Sequence, residues 1–150
     1  MTWRLGTVVL TLAIACLIAP NVEAGDGKSF SLRDVDGPTA FDFDGFVVPD
    51  PANPTVTIPA ASVGRFVADG SGHLNDGERR LVVGGTPLPI QHFTCTYTVR
   101  SNGMGDATCH IIETGTTETF DFVIVERKKE AYFTSTTPGT VFRGRTKRQH

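Results

Sequence analysis

The chain has 150 residues, with 14 Lys+Arg against 16 Asp+Glu for a formal net charge of −2, 39% apolar side chains, 16 Gly, 9 Pro and 3 Cys. That length suits one domain and is too short for two ordinary ones. The near-neutral balance lacks the basic field that nucleic-acid binders use, so no nucleic acid is expected as a partner.

Residues 1–24 read as a cleaved export signal. Arg4 gives a short positive end, Leu5–Ala19 is an apolar run, and Val22-Glu23-Ala24 places small residues at −3 and −1 before Gly25. The run is shorter than the roughly 20 apolar residues of a membrane span, so no stable anchor is expected after cleavage. Ala13-Ile14-Ala15-Cys16 loosely resembles a lipoprotein processing site, but the apolar run continues past Cys16. Removing the signal takes away one base, Arg4, and one acid, Glu23, leaving the net charge unchanged. The expected mature chain is a single domain, 25–150, secreted or periplasmic.

That chain reads as a series of strands. Thr39–Val48 alternates Phe41 and Phe43 with Asp42 and Asp44. Residues 49–60 hold four prolines, Pro49, Pro51, Pro54 and Pro59, which favours an extended loop. Ser62–Ala68 is the second strand, closed by Asp69-Gly70-Ser71-Gly72. His73–Val83 is the third, with Gly77 as a bulge or bend. Gly84-Gly85-Thr86-Pro87 turns into a fourth over 89–100. The fifth runs near 106–113, the sixth over Glu118–Glu126, the seventh over Ala131–Thr136 and the eighth over Thr140–Lys147.

Loss of Cys16 leaves Cys95 and Cys109, an even number that suits an oxidising compartment. Ser101–Asp106 is turn chemistry. A hairpin centred on Asn102 sets Cys95 opposite Cys109 and Tyr97 opposite Ala107, within disulfide range. A structural staple is the expectation and a redox pair the alternative.

Eight strands joined mostly by tight turns form an antiparallel meander, and open edges aggregate. The expected fold is therefore all-β, an eight-stranded up-and-down barrel closed by strand eight on strand one. Antiparallel pairing of these two would set Phe142 with Phe41 and Phe43 inside, and Arg143, Arg145 and Lys147 against Asp42 and Asp44 outside. The alternative is two solvated faces that never meet.

A barrel of this size is filled by side chains or holds one small ligand. By parity the inward residues are Phe41, Phe43, Phe66, Phe93, Tyr97, Val99, Ile111, Phe120, Phe122, Ile124, Phe133 and Phe142. Ligand-binding candidates are Phe41, Phe43, Phe66, Tyr97, Phe120, Phe122, Phe133 and Phe142, with Tyr97 as the polar handle and Ser135 next. Filling of the core by the same aromatics is the competing outcome.

Catalytic constellations are weak. No Gly-x-Ser-x-Gly elbow occurs. His92, Cys95, Cys109 and His110 invite a zinc site, but parity sets the cysteines and histidines on opposite faces. Asp69–Glu78 has calcium-binding residue types yet lacks Gly at its sixth position and carries Arg80 where the closing Glu belongs, so it reads as a turn. Glu113, Asp121 and Glu126 could act as acid or base if buried, and Arg127–Lys129 and Arg143–Arg148 could touch anionic surfaces. Rim or surface exposure is the default for all of them. No metal, cofactor or catalytic residue is expected.

Gly64–Gly72, Phe93–Val99 with its Asn-Gly turn, Phe120–Val125, and Thr137–Gly144 with Lys147-Arg148-Gln149 resemble a group of exported bacterial proteins of unknown function. The resemblance spans roughly residues 37–149 and implies a small barrel of the calycin or allene-oxide-cyclase type. The lipocalin Gly-x-Trp mark is absent, the single Trp being Trp3. No cyclase residue carries over position by position. The expectation is a non-enzymatic barrel that binds a small apolar molecule. Alternatives are a cyclase or isomerase working in the cavity, and a filled barrel serving as an envelope or surface interaction module.

Overall fold

The computed structural model describes residues 29–50 and 52–150, so the export-signal reading over 1–24 lies outside the described residues. Among the described residues, nine strands follow one 3-10 turn, Leu32–Asp34. They are β1 (Asp36–Val47), β2 (Ile58–Asp69), β3 (His73–Val83), β4 (Thr86–Pro87), β5 (Gln91–Val99), β6 (Met104–Ile111), β7 (Thr117–Glu126), β8 (Glu130–Ser135) and β9 (Thr140–Arg148). All neighbours pair antiparallel, and β1 pairs with both β2 and β9. The ring is β1-β2-β3-β5-β6-β7-β8-β9, an eight-stranded up-and-down barrel, with the two-residue β4 outside it on β3. Among the described residues no helix is long and apolar enough to cross a membrane.

Closure joins the two expected strands antiparallel, with rings inside and charges outside. Asp42 pairs with Arg145 and Asp44 with Arg143 across β1 and β9, and Arg145 Nε donates to Asp42 at 3.1 Å on the outer face. Such an exposed pair contributes only about 0.2–1 kcal/mol, so it assists register while the inward rings drive closure. Phe43 and Phe142 meet behind it with centroids 4.9 Å apart.

The β5–β6 hairpin is centred on Asn102. Cys95 faces Cys109 with Cα atoms 4.0 Å apart and is disulfide-bonded to it, and Tyr97 faces Ala107. Both cysteines are buried on the inner face, while His92 and His110 are exposed on the outer face.

Some boundaries differ from the sequence reading. β2 starts at Ile58, not Ser62, so Pro59 lies within a strand rather than a loop. It sits at the strand's first residues, where its missing N–H disrupts no central ladder, and its carbonyl accepts a hydrogen bond from Gly84 N–H. Gly84 and Gly85 both have positive φ, 58° and 82°. That is the backbone a two-residue hairpin demands, and it creates β4 where only a turn was expected.

The bulge foreseen at Gly77 falls just before it. The pairing of β3 with β5 slips between Leu74 and Gly77, and Asp76 takes φ 51°. The extra residue inverts the parity of the rest of β3. Leu74 faces inward, and beyond the bulge Gly77 and Arg79 do so.

The interior alternates large and small. Phe41 lies opposite Gly64, Phe43 and Phe133 opposite Gly144, Phe93 opposite Gly77, and Phe122 opposite Gly105. A Cβ at any of these glycines would run into the facing ring or its own neighbour's backbone. Glycine lets each ring lie over the adjacent strand, which is how a narrow barrel accommodates so many phenylalanines.

Candidate functional site

One end of the barrel is closed by the segment 29–35. Phe30 N–H donates to the Ser101 carbonyl, and Leu32 and Val35 pack on the core. Arg127, in the β7–β8 turn, holds this strap from the other side. Its guanidinium donates to Asp34 at 2.9 Å and lies 4.0 Å from the centre of the Phe30 ring. Burial would raise the Asp34 pKa, but the Ser31 N–H and the Arg127 charge outweigh it and hold the carboxyl below its ordinary value.

Behind the strap lies an interior cavity of about 100 Å³. Its walls include Phe41, Phe43, Phe66, Phe93, Tyr97, Phe120, Phe122 and Phe133, with the disulfide Cys95–Cys109, Ala107 and Ile111. Edge-to-face contacts organise the rings, as between Phe120 and Phe133 at 5.6 Å and Phe41 and Phe93 at 5.9 Å. Phe142 faces inward as expected but does not line this space. It is buried with Phe43 and Ala60 in a second apolar cluster. Val99 and Ile124 also lie outside the lining, Val99 packed on the main core and Ile124 buried near the strap end.

Tyr97, the expected polar handle, has its proton engaged elsewhere. Its ring lines the cavity, but its hydroxyl donates to the Val35 carbonyl at 2.8 Å and is committed to the strap. Burial, with the Asp69 and Asp36 carboxylates nearby, pushes its phenol up to about 12. Ser135 bonds Thr140 at 2.7 Å near the opposite end and is not part of the lining.

Two charged residues in this otherwise largely apolar lining, Arg79 and Glu118, were not singled out from the sequence. Arg79 donates from both terminal nitrogens to Glu118, at 2.6 and 2.7 Å, and from Nε to Gln91 at 2.9 Å. The Arg79 side chain is 5% exposed and that of Glu118 23%, so the pair reaches from the cavity toward solvent. The signal for Glu118 and Gln91 was available: each stands two residues before an inward Phe, Phe120 and Phe93. Arg79 was hidden because the bulge at Asp76 switches the alternation.

The proposed acids and bases lie elsewhere. Glu113 is exposed and bonded to His92 at 2.6 Å, which holds its carboxyl low. Glu126 is exposed and paired with Lys129. Asp121 pairs in register with Asp106 and Thr134 and is not part of the lining. Asp69 closes its turn by accepting from the N–H groups of Ser71 and His73, at 2.8 and 2.9 Å, and from the Ser71 hydroxyl. That is the turn expected in place of a calcium loop, and these bonds press the Asp69 pKa far below the usual carboxylate range.

No family model, curated protein or solved structure matches the chain. A small barrel alone assigns no activity, because one fold serves many.

Proposed function

We propose that this protein is exported, to the periplasm or beyond the cell, and binds a small hydrophobic molecule inside its barrel without transforming it. The observation that carries this is the ring-walled interior space of about 100 Å³. Apolar cavities of roughly 150 Å³ take up benzene, so the expected ligand is one small ring or a short alkyl group. Export is supported by the leader pattern of residues 1–24 and by the disulfide, which persists in oxidising compartments. A binding role rather than catalysis is favoured because Glu113 and Glu126 are exposed on ion pairs of their own and Glu118 is clamped by Arg79.

The test is NMR titration of the mature protein with toluene and with short alkanes. Interior methyl and ring signals, Ile111 and Phe120 among them, are expected to shift with a Kd on the order of 0.1 mM for so few atoms. Ala107→Phe or Ala131→Leu, each placing bulk into the cavity, is expected to abolish the shifts. No interior response to any probe, or equal responses in the filled variants, would overturn the reading.

A further inference from the structure

We infer that the molecule held in the barrel is an uncharged amphiphile, an apolar ring or short chain bearing one hydroxyl or carbonyl, whose polar atom is received by Arg79 beside Glu118. This rests on the ligand-binding reading above and names the class of ligand.

A guanidinium has five N–H groups in a fixed fork. Arg79 gives one from Nε to Gln91 and one from each terminal nitrogen to Glu118. Each terminal nitrogen therefore keeps one N–H for a further acceptor. The Glu118 oxygens can in turn accept from a hydroxyl. The two hydroxyls of the lining give their protons elsewhere, Tyr97 to the Val35 carbonyl and Thr146, at 3.5 Å, toward the Ala131 carbonyl, so neither is a free donor for a ligand acceptor. The rest of the lining is almost wholly apolar, so this pair is the charged point toward which a ligand with a single polar atom is drawn.

The charge of that atom follows from the pair. Arg79 and Glu118 neutralise each other. A ligand carboxylate would set a second negative charge close to Glu118 in a weakly polarisable interior, and an ammonium would meet Arg79. A neutral acceptor meets neither penalty. The pair is also not what the fold alone would select, since apolar residues of similar volume usually serve stability as well or better. The bulge at Asp76, with φ 51°, is what turns Arg79 inward.

Toluene, p-cresol and p-toluate share a ring and a methyl group and differ only in the polar substituent. Titrated at neutral pH, p-cresol is expected to bind about tenfold tighter than toluene, as a hydrogen bond to a charged group allows, and p-toluate more weakly than p-cresol. In Arg79→Met with Glu118→Leu, both charges leave together. Toluene is then expected to bind at least as tightly as before, and the advantage of p-cresol to vanish. Glu118→Gln, which keeps the packing but frees the Arg79 charge, is expected to move p-toluate ahead of p-cresol and covers the case where the double variant does not fold. Equal binding of toluene and p-cresol to the native protein would overturn this inference and leave the binding reading standing. Tightest binding of p-toluate to the native protein would overturn the uncharged class. Failure of all three to bind would remove the binding reading and this inference with it.

Discussion

Gly105 shows how closely single residues are matched across the interior. A methyl group there would meet both the Phe122 ring and the Thr98 carbonyl, so Gly105→Ala is expected to lose about 1–3 kcal/mol, the usual cost of overpacking, read from urea unfolding. Tyr97 couples the core to the strap through its bond to the Val35 carbonyl. Its folded pKa is raised, so its contribution is complete below the ordinary value of 10.0 and is lost as pH rises through about 12. Alkaline titration is expected to destabilise the native protein in that window, while Tyr97→Phe is expected to be weaker at neutral pH by roughly 1–2 kcal/mol and flat across it. At this scale the inward aromatics were legible because phenylalanine at every second position has only one apolar side of the sheet to face. Arg79 was not, because the inserted residue at Asp76 reverses the alternation without any change in composition.

The strap 29–35 is the element with the least sequence signal and a direct bearing on access to the cavity. Three residues of 3-10 turn carry no periodicity that could reveal them, whereas the hairpin around Asn102 announced its own register through its turn residues and paired cysteines. Besides its bonds to Ser101 and Tyr97, the strap is tied down through Arg127, which reaches Asp34, the Ser29 carbonyl and the Phe30 ring. Arg127→Ala is expected to speed amide exchange over residues 30–35 and leave β5 and β6 protected, as measured by hydrogen exchange. Acid should act on the same tie. The folded pKa of Asp34 is lowered, so its contribution is intact above the ordinary 3.8 and fades as pH falls through the folded value. The strap is therefore expected to loosen at low pH in the native protein, and this acid-dependent step to be smaller in Arg127→Ala, where only Ser31 still favours the carboxylate.

For the whole molecule, the closing seam joins residues 39–47 to 140–148, nearly the full span of the described chain. It was legible because acids alternate on β1 and bases on β9, so that antiparallel pairing of these two strands buries the rings and sets opposite charges together. A chain ending at Pro138 would lack β9 and leave β1 and β8 with unpaired edges. It is expected to elute as aggregates in size-exclusion chromatography where the intact protein elutes as a discrete species. The disulfide carries a consequence for how this closure comes about. Cys95 and Cys109 are 4% and 6% exposed, and their sulfurs belong to the inner wall. An oxidising enzyme working from outside has no route to them once the cylinder is shut. Burial of that kind favours joining the thiols while the hairpin is still an open ribbon, so that which way two side chains point bears on the order of assembly.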